Sequence, residues 1–151
     1  MTAHLIENVL PHTAPMILID TLDSYDENIG RCSVTITPQS IFYNATTQSV
    51  PSHVGIEYMA QTIGAYANAN QVDSGAEVAI GFLVSSRKYK MYCTGFKLHS
   101  TLTIEIEKLY SEANGLSAFE CLIKEGDTRL VEAKINVFQP ENPEQFLAEQ
   151  L

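Results

Sequence analysis

The sequence is poor in cysteine: Cys32, Cys93 and Cys121 are odd in number, far apart and without a C-x-x-C pair. That spacing argues against a disulfide framework and a zinc-ligand set, and makes the three thiols core or strand residues. Cys93 lies near basic residues, but nothing else around it specifies a nucleophile. Positive charge is also scarce, with 9 Lys and Arg against 18 Asp and Glu, a formal net charge of −9. A general basic field for nucleic acid is thereby excluded. There is no free run of about 18 uncharged apolar residues, because Gln, Asn and Gly interrupt the most apolar stretch, so no membrane span is expected. The N-terminus lacks a basic segment followed by a long apolar one, so no signal peptide is expected and the location expected is cytoplasmic. Internal repeats and low-complexity tracts are absent too.

What is present is a chain of 151 residues, 45% hydrophobic. It is long enough for one domain that buries about 70% of its unfolded surface, with a core over about 8–139 and a short acidic tail over 140–151. Its centre is the stretch from Pro51 to Gln71. There Val54, Ile56, Tyr58, Met59, Ala60, Ile63, Ala65, Tyr66 and Ala67 fall nearly all round a 3.6-residue period, which predicts a helix over about 52–72 covered on most sides. Gly64 inside it costs about 1 kcal/mol relative to Ala, so a close neighbour is expected there.

The only formal charge in that helix is Glu57, and burying an unpartnered carboxylate costs several kcal/mol. His53 precedes it by four positions, a spacing that puts both on one helix face with Cβ atoms roughly 5–6 Å apart. The pair reads as an acid/base couple. The plainer reading is a dipole-favoured carboxylate near a helix start beside a surface histidine. Against that, if Ser52 or a residue just before it caps the helix, Glu57 lies beyond the positions that cap directly.

In chain order, residues 4–10 form a short helix ended by Pro11. Met16 to Leu22 and Ile29 to Thr37 read as a hairpin turned at 26–30. Residues 38–51 read as loop, and Asp73-Ser-Gly75 closes the helix. Strands follow over 77–92, 97–110, 116–124 and 129–138, the last two turned by Glu125-Gly-Asp127, and a short helix is expected from Glu144. The order is α+β, with an antiparallel curved sheet around one helix and enough apolar surface left over to call for a dimer. Arg87, Lys88, Lys90 and Lys97 concentrate the few cations in one stretch. They fit either a docking patch for an acidic or phosphate-bearing partner or lysines guarding an edge strand.

Three stretches carry a resemblance to the hotdog-fold 3-hydroxyacyl-[acyl-carrier-protein] dehydratases. Leu10-Pro-His-Thr-Ala-Pro-Met-Ile-Leu-Ile-Asp20 is similar to that family's L-P-H-x-x-P opening, and Gly55-Ile-Glu-Tyr-Met-Ala-Gln61 to its E-A-M-A-Q helix. Gly81 to Lys90 is similar to the strand entering its dimer interface. The form V-P-x-x-V-G-I-E-Y-M-A-Q looks closest to the dehydratase-like proteins of aryl polyene biosynthesis.

The resemblance implies a hotdog fold over about residues 8–139 and dehydration of a 3-hydroxyacyl thioester. In that family a helix Glu or Asp and a loop His, from opposite subunits, carry out the reaction. Glu57 matches the acid. The loop histidine would fall at Tyr43-Asn44 and is absent, leaving either His53 as a relocated base or a chain that binds acyl thioesters and supports a partner dehydratase. Ser52, Gly55 and Gln61 are implied as substrate-binding, with the N–H groups of Ser52 and His53 free to hold the thioester carbonyl. Arg87, Lys88 and Lys90 would dock an acyl carrier protein. The thioester comes on carrier protein or CoA, and the dimer forms with itself or with a related subunit. No metal or other cofactor is implied. Hotdog thioesterases, with a carboxylate on the same helix, are the rival. His12 reads as structural, and His99 has no role.

Overall fold

The computed structural model describes residues 3–10, 16–75 and 82–138. Eight strands are formed: β1 (Thr21–Tyr25), β2 (Ile29–Thr35), β3 (Ser49–Pro51), β4 (Phe82–Met91), β5 (Gly95–Lys97), β6 (Thr101–Ser111), β7 (Leu116–Glu125) and β8 (Thr128–Phe138). One long helix, α1 (Gly55–Asp73), stands between β3 and β4. Six strands make one antiparallel sheet in the order β1-β2-β6-β7-β8-β4, while β3 and β5 pair separately. The sequence alternation sets the faces: Leu102, Ile104 and Ile106 of β6 are buried and Glu107 is exposed. In β8, Val131, Ala133 and Ile135 take the inner side. The helix packs on β6, β2, β1 and β7.

The helix is buried nearly all round, as its composition predicts, through Tyr58, Met59, Ile63, Ala65, Tyr66 and Ala69. It starts one turn later than expected, because Ser52–Val54 forms a 3₁₀ turn before it, and Gly75 stops it with φ +89°. The expected close neighbour of Gly64 is Leu10, whose Cδ2 would lie 3.4 Å from a Cβ there.

That contact is one of several by which the N-terminal arm runs along α1 in the opposite direction. His4 Nε2 meets Asp73 Oδ1 at 2.8 Å, Asn68 Nδ2 donates to Val9 O at 2.9 Å, and Gln61 Nε2 donates to Met16 O at 2.8 Å. The expected short helix over 4–10 is a 3₁₀ turn, Ile6–Asn8, and its end at Pro11 lies outside the described residues.

Three expectations about the strands change as well. The first strand begins at Thr21 and not at Met16, because the Leu18 N–H donates to Gln61 Oε1 at 2.8 Å and is withdrawn from a ladder; Asp20 N–H to Ser33 O, 2.9 Å, is where pairing starts. The segment over 97–110 is two strands, split by a turn in which His99 has φ +69° and donates its N–H to Ile36 O. The loop over 38–51 ends in β3. By contrast, the β7–β8 hairpin stands where it was expected, with Gly126 at φ +58° in its turn. The part of the β4 segment before Phe82, the tail over 139–151 and His12 lie outside the described residues.

Candidate active site

Glu57 is half-buried in the first turn of α1 and accepts a hydrogen bond from Gln61 Nε2 at 3.3 Å. His53 is exposed on the 3₁₀ turn that leads into the helix. Among the described residues no hydrogen bond or ion pair joins the two side chains. They share one end of the helix but are held there by different elements.

Ser52 holds the turn together. Its N–H donates to Thr94 O at 3.2 Å, its hydroxyl lies 3.1 Å from Met91 Sδ, and its carbonyl accepts from the Tyr89 hydroxyl at 2.7 Å. The expectation of a free Ser52 N–H for a thioester carbonyl is therefore corrected: a backbone carbonyl of the β4–β5 connection already occupies it. The His53 N–H stands at the start of the turn, where the helix supplies no acceptor of its own.

Gly55 faces inward, where an added Cβ would lie 2.6 Å from the Tyr89 hydroxyl and 2.8 Å from Ile123 Cδ1. Gln61 is only 2% exposed and is bound on three sides, by Met16 O, Leu18 N–H and Glu57. Of the five residues predicted at this end, Glu57 and Gln61 are brought together, Ser52 and Gly55 are built into the turn, and His53 is the one left facing solvent.

At the place of the family's loop histidine, Asn44 organises a turn. Its Oδ1 accepts from Thr46 N–H at 2.8 Å and Thr47 N–H at 3.3 Å, and its backbone pairs with Ser49. Phe42, two residues earlier, is 62% exposed with φ +69°, a backbone position uncommon for an aromatic residue. Neither feature can be read from composition, since both depend on where the loop closes.

Tyr89 and Met91 bring β4 against the Ser52 turn, and strand alternation sends Lys90 to the opposite face, with its Nζ 5.1 Å from the centre of the Tyr92 ring. Arg87, Lys88 and Lys90 are all exposed, and β4 is an edge strand. Lys88, at φ +56°, sits in a bulge between Arg87 and Lys90. It opens on a groove of about 480 Å³ on the outer sheet face that Glu105, Glu107, Glu120 and Lys134 also line. Lys88 thus faces carboxylates as well as solvent.

The thiols are chemically quiet. Burial pushes Cys32 up to about 12, and it raises Cys121 and Cys93 as well. Among the described residues no cluster of His, Cys, Asp and Glu could hold a metal ion, and no helix is long and apolar enough to cross a membrane.

An antiparallel sheet around one buried helix, with a lone carboxylate in the first turn of that helix, defines a hotdog protein. A chain of the dehydratase heterocomplex ApeI:P from Xenorhabdus doucetiae matches it with a TM-score of 0.89 over 99% of this chain and 100% of that one, at 24% identity. A hypothetical thioesterase with coenzyme A from Streptococcus pneumoniae gives a TM-score of 0.60 at 14% identity, covering 78% of this chain and 83% of its own. A Streptococcus mutans protein bound to acetyl CoA gives 0.62 at 12% identity, covering 85% and 95%. No curated protein sequence matches significantly. The family model of the ApeP dehydratase matches residues 4–148, and the chain belongs to this ApeP-like family.

Proposed function

We propose that the chain dehydrates a 3-hydroxyacyl thioester on an acyl carrier protein to the trans-2-enoyl thioester, in aryl polyene biosynthesis and in complex with a second hotdog subunit. The observation that carries this reading is Glu57, held by Gln61 in the first turn of the central helix of an ApeP-like dehydratase chain. A base takes the proton from C2, an acid protonates the departing C3 hydroxyl, and enoyl thioester and water leave. In this scheme neutral His53 is the base and protonated Glu57 the acid. The His53 N–H at the helix start stabilises the developing enolate oxygen. Elimination of this kind needs no metal or other cofactor.

A second reading is favoured by two observations, the use of Asn44 in a turn and the lack of a bond between His53 and Glu57. Here the chain contributes Glu57, and the imidazole comes from its partner. The Xenorhabdus structure is described as a heterocomplex, which makes a partner subunit a reasonable source.

Turnover of carrier-bound 3-hydroxyacyl substrate tests both, by the chain alone and with a co-expressed hotdog partner, scoring enoyl product and free acid separately. Loss of enoyl product in both Glu57→Gln and His53→Ala supports the first reading. Loss in Glu57→Gln alone, with activity only in the complex, supports the second. Free acid as the product would replace dehydration with thioester hydrolysis.

A further inference from the structure

The turn between β1 and β2 is tied at successive carbonyls: Asp26 O accepts from Asn70 Nδ2 at 3.0 Å, Glu27 O from the Tyr66 hydroxyl, and Asn28 O from Lys108 N–H at 2.7 Å. It is thereby a fixed wall of a groove of about 390 Å³ that Tyr66, Ala67 and Phe119 also line. Tyr66 and Phe119 meet edge to face, with 5.8 Å between ring centres.

Two polar groups of this groove are left over. Asn70 Nδ2 uses its second hydrogen on Tyr66 O, 3.1 Å away, so Oδ1 is a spare acceptor. Lys108 stands opposite Phe119 in the β6–β7 ladder, on the core-facing side, half-buried and without a carboxylate partner among the described residues. One hydroxyl group satisfies both, giving its hydrogen to the amide and taking one from the ammonium. Glu27 lines the groove as well and disfavours an anion there. Ala67 lies about 15 Å beyond Glu57 along α1 at 1.5 Å per residue, and Ala60 and Gly64 between them share its half-buried face.

We infer that the groove is a subsite for a hydroxylated aromatic ring at the tip of a long acyl thioester: the ring lies against Ala67, Tyr66 and Phe119, and its hydroxyl donates to Asn70 Oδ1 and accepts from Lys108 Nζ. That the ring arrives on an acyl chain rests on the proposed function, since the chain has to run from Glu57 along the half-buried helix face. The ring chemistry rests on the groove. A straight-chain tip leaves both polar groups unpaired, and a carboxylate tip meets Glu27.

The test is binding by the full chain, alone and with a co-expressed hotdog partner. The probes are amides of equal chain length, unreactive in place of the thioester, tipped with a para-hydroxyphenyl ring, a phenyl ring or a methyl group. Backbone ¹⁵N signals of residues 66–70 and 108 are expected to move saturably with the hydroxyphenyl probe and to respond little to the methyl-tipped one. Lys108→Met keeps the stem and removes the donor; it should weaken the hydroxyphenyl probe about tenfold and the phenyl probe less than about twofold. Groove signals that stay still, or equal weakening of both ring-tipped probes, overturn the inference. Groove signals that the partner shifts and the probe then leaves unmoved overturn it too, and make the groove an interface between subunits.

Binding read in this way needs no turnover. A groove that takes the hydroxyphenyl probe in a protein that dehydrates no thioester would sink the dehydratase reading and leave the ring subsite standing. Dehydration of a ring-tipped substrate with a KM indifferent to Lys108→Met, and with no response in the groove, would do the reverse.

Discussion

At the scale of the residue, Gly55 illustrates a glycine required by space. Its φ of −55° is open to any residue, but the Tyr89 hydroxyl, Ile123 and Phe96 fill the volume a methyl group would take. Gly55→Ala must displace Tyr89 from the Ser52 carbonyl or spread β7 and β5 from the helix. Overpacking of that kind costs about 1–3 kcal/mol, so the expected outcome is a denaturation midpoint lowered accordingly in urea. A variant as stable as wild type would show that the turn can relax freely. Glu57 was legible here as the lone charge in the apolar helix predicted over 52–72. The commitment of the Ser52 N–H was not, because its acceptor, Thr94 O, belongs to a connection 42 positions later whose path no local pattern specifies.

At the scale of the element, α1 and its N-terminal arm form a laced pair with Asp73 as the far anchor. The Tyr25 hydroxyl first, and His4 second, hold the Asp73 carboxyl below its usual range. A depressed folded-state pKa means that the stabilisation is present above the unfolded value, near pH 4, and is lost as pH falls through the folded value. Hydrogen exchange of residues 5–10 should therefore accelerate below about pH 4 in the wild type. Asp73→Asn should show the fast exchange at neutral pH. Equal protection in both proteins would mean that the arm is held by Asn68 and Gln61 alone.

The helix and the β7–β8 hairpin were readable because their signals are local: a 3.6-residue period in one, alternation broken by a glycine turn in the other. The start of β1 was not, since a glutamine side chain of the helix competes for the Leu18 N–H. Nor was the break between β5 and β6, where Leu98 N–H reaches back to Gln48 O and His99 N–H to Ile36 O. Sequence periodicity reports the face a residue buries, whereas these boundaries are decided by which distant group claims a backbone donor.

At the scale of the whole molecule, charge is divided: the chain is acidic overall, yet its edge strand β4 carries Arg87, Lys88 and Lys90. For a carrier protein that is itself acidic, this edge is the approach least opposed by long-range repulsion. Reversing Arg87 and Lys88 to Glu should raise the apparent KM for carrier-bound substrate several-fold, with an effect that shrinks as salt is added, and leave a small thioester surrogate unaffected. Equal loss on both substrates would place these residues in fold maintenance, where protection of an edge from strand pairing is their physical alternative.

The lacing of the arm to the helix also bears on how such chains can be recombined. An exchange of only the helix or only the arm would keep a carbonyl and an amide for such a glutamine but not the matched path that brings them within its reach. Residues 16–18 and 55–61 should therefore be inherited as one block in any functional chimera, although nearly forty residues of loop and strand separate them.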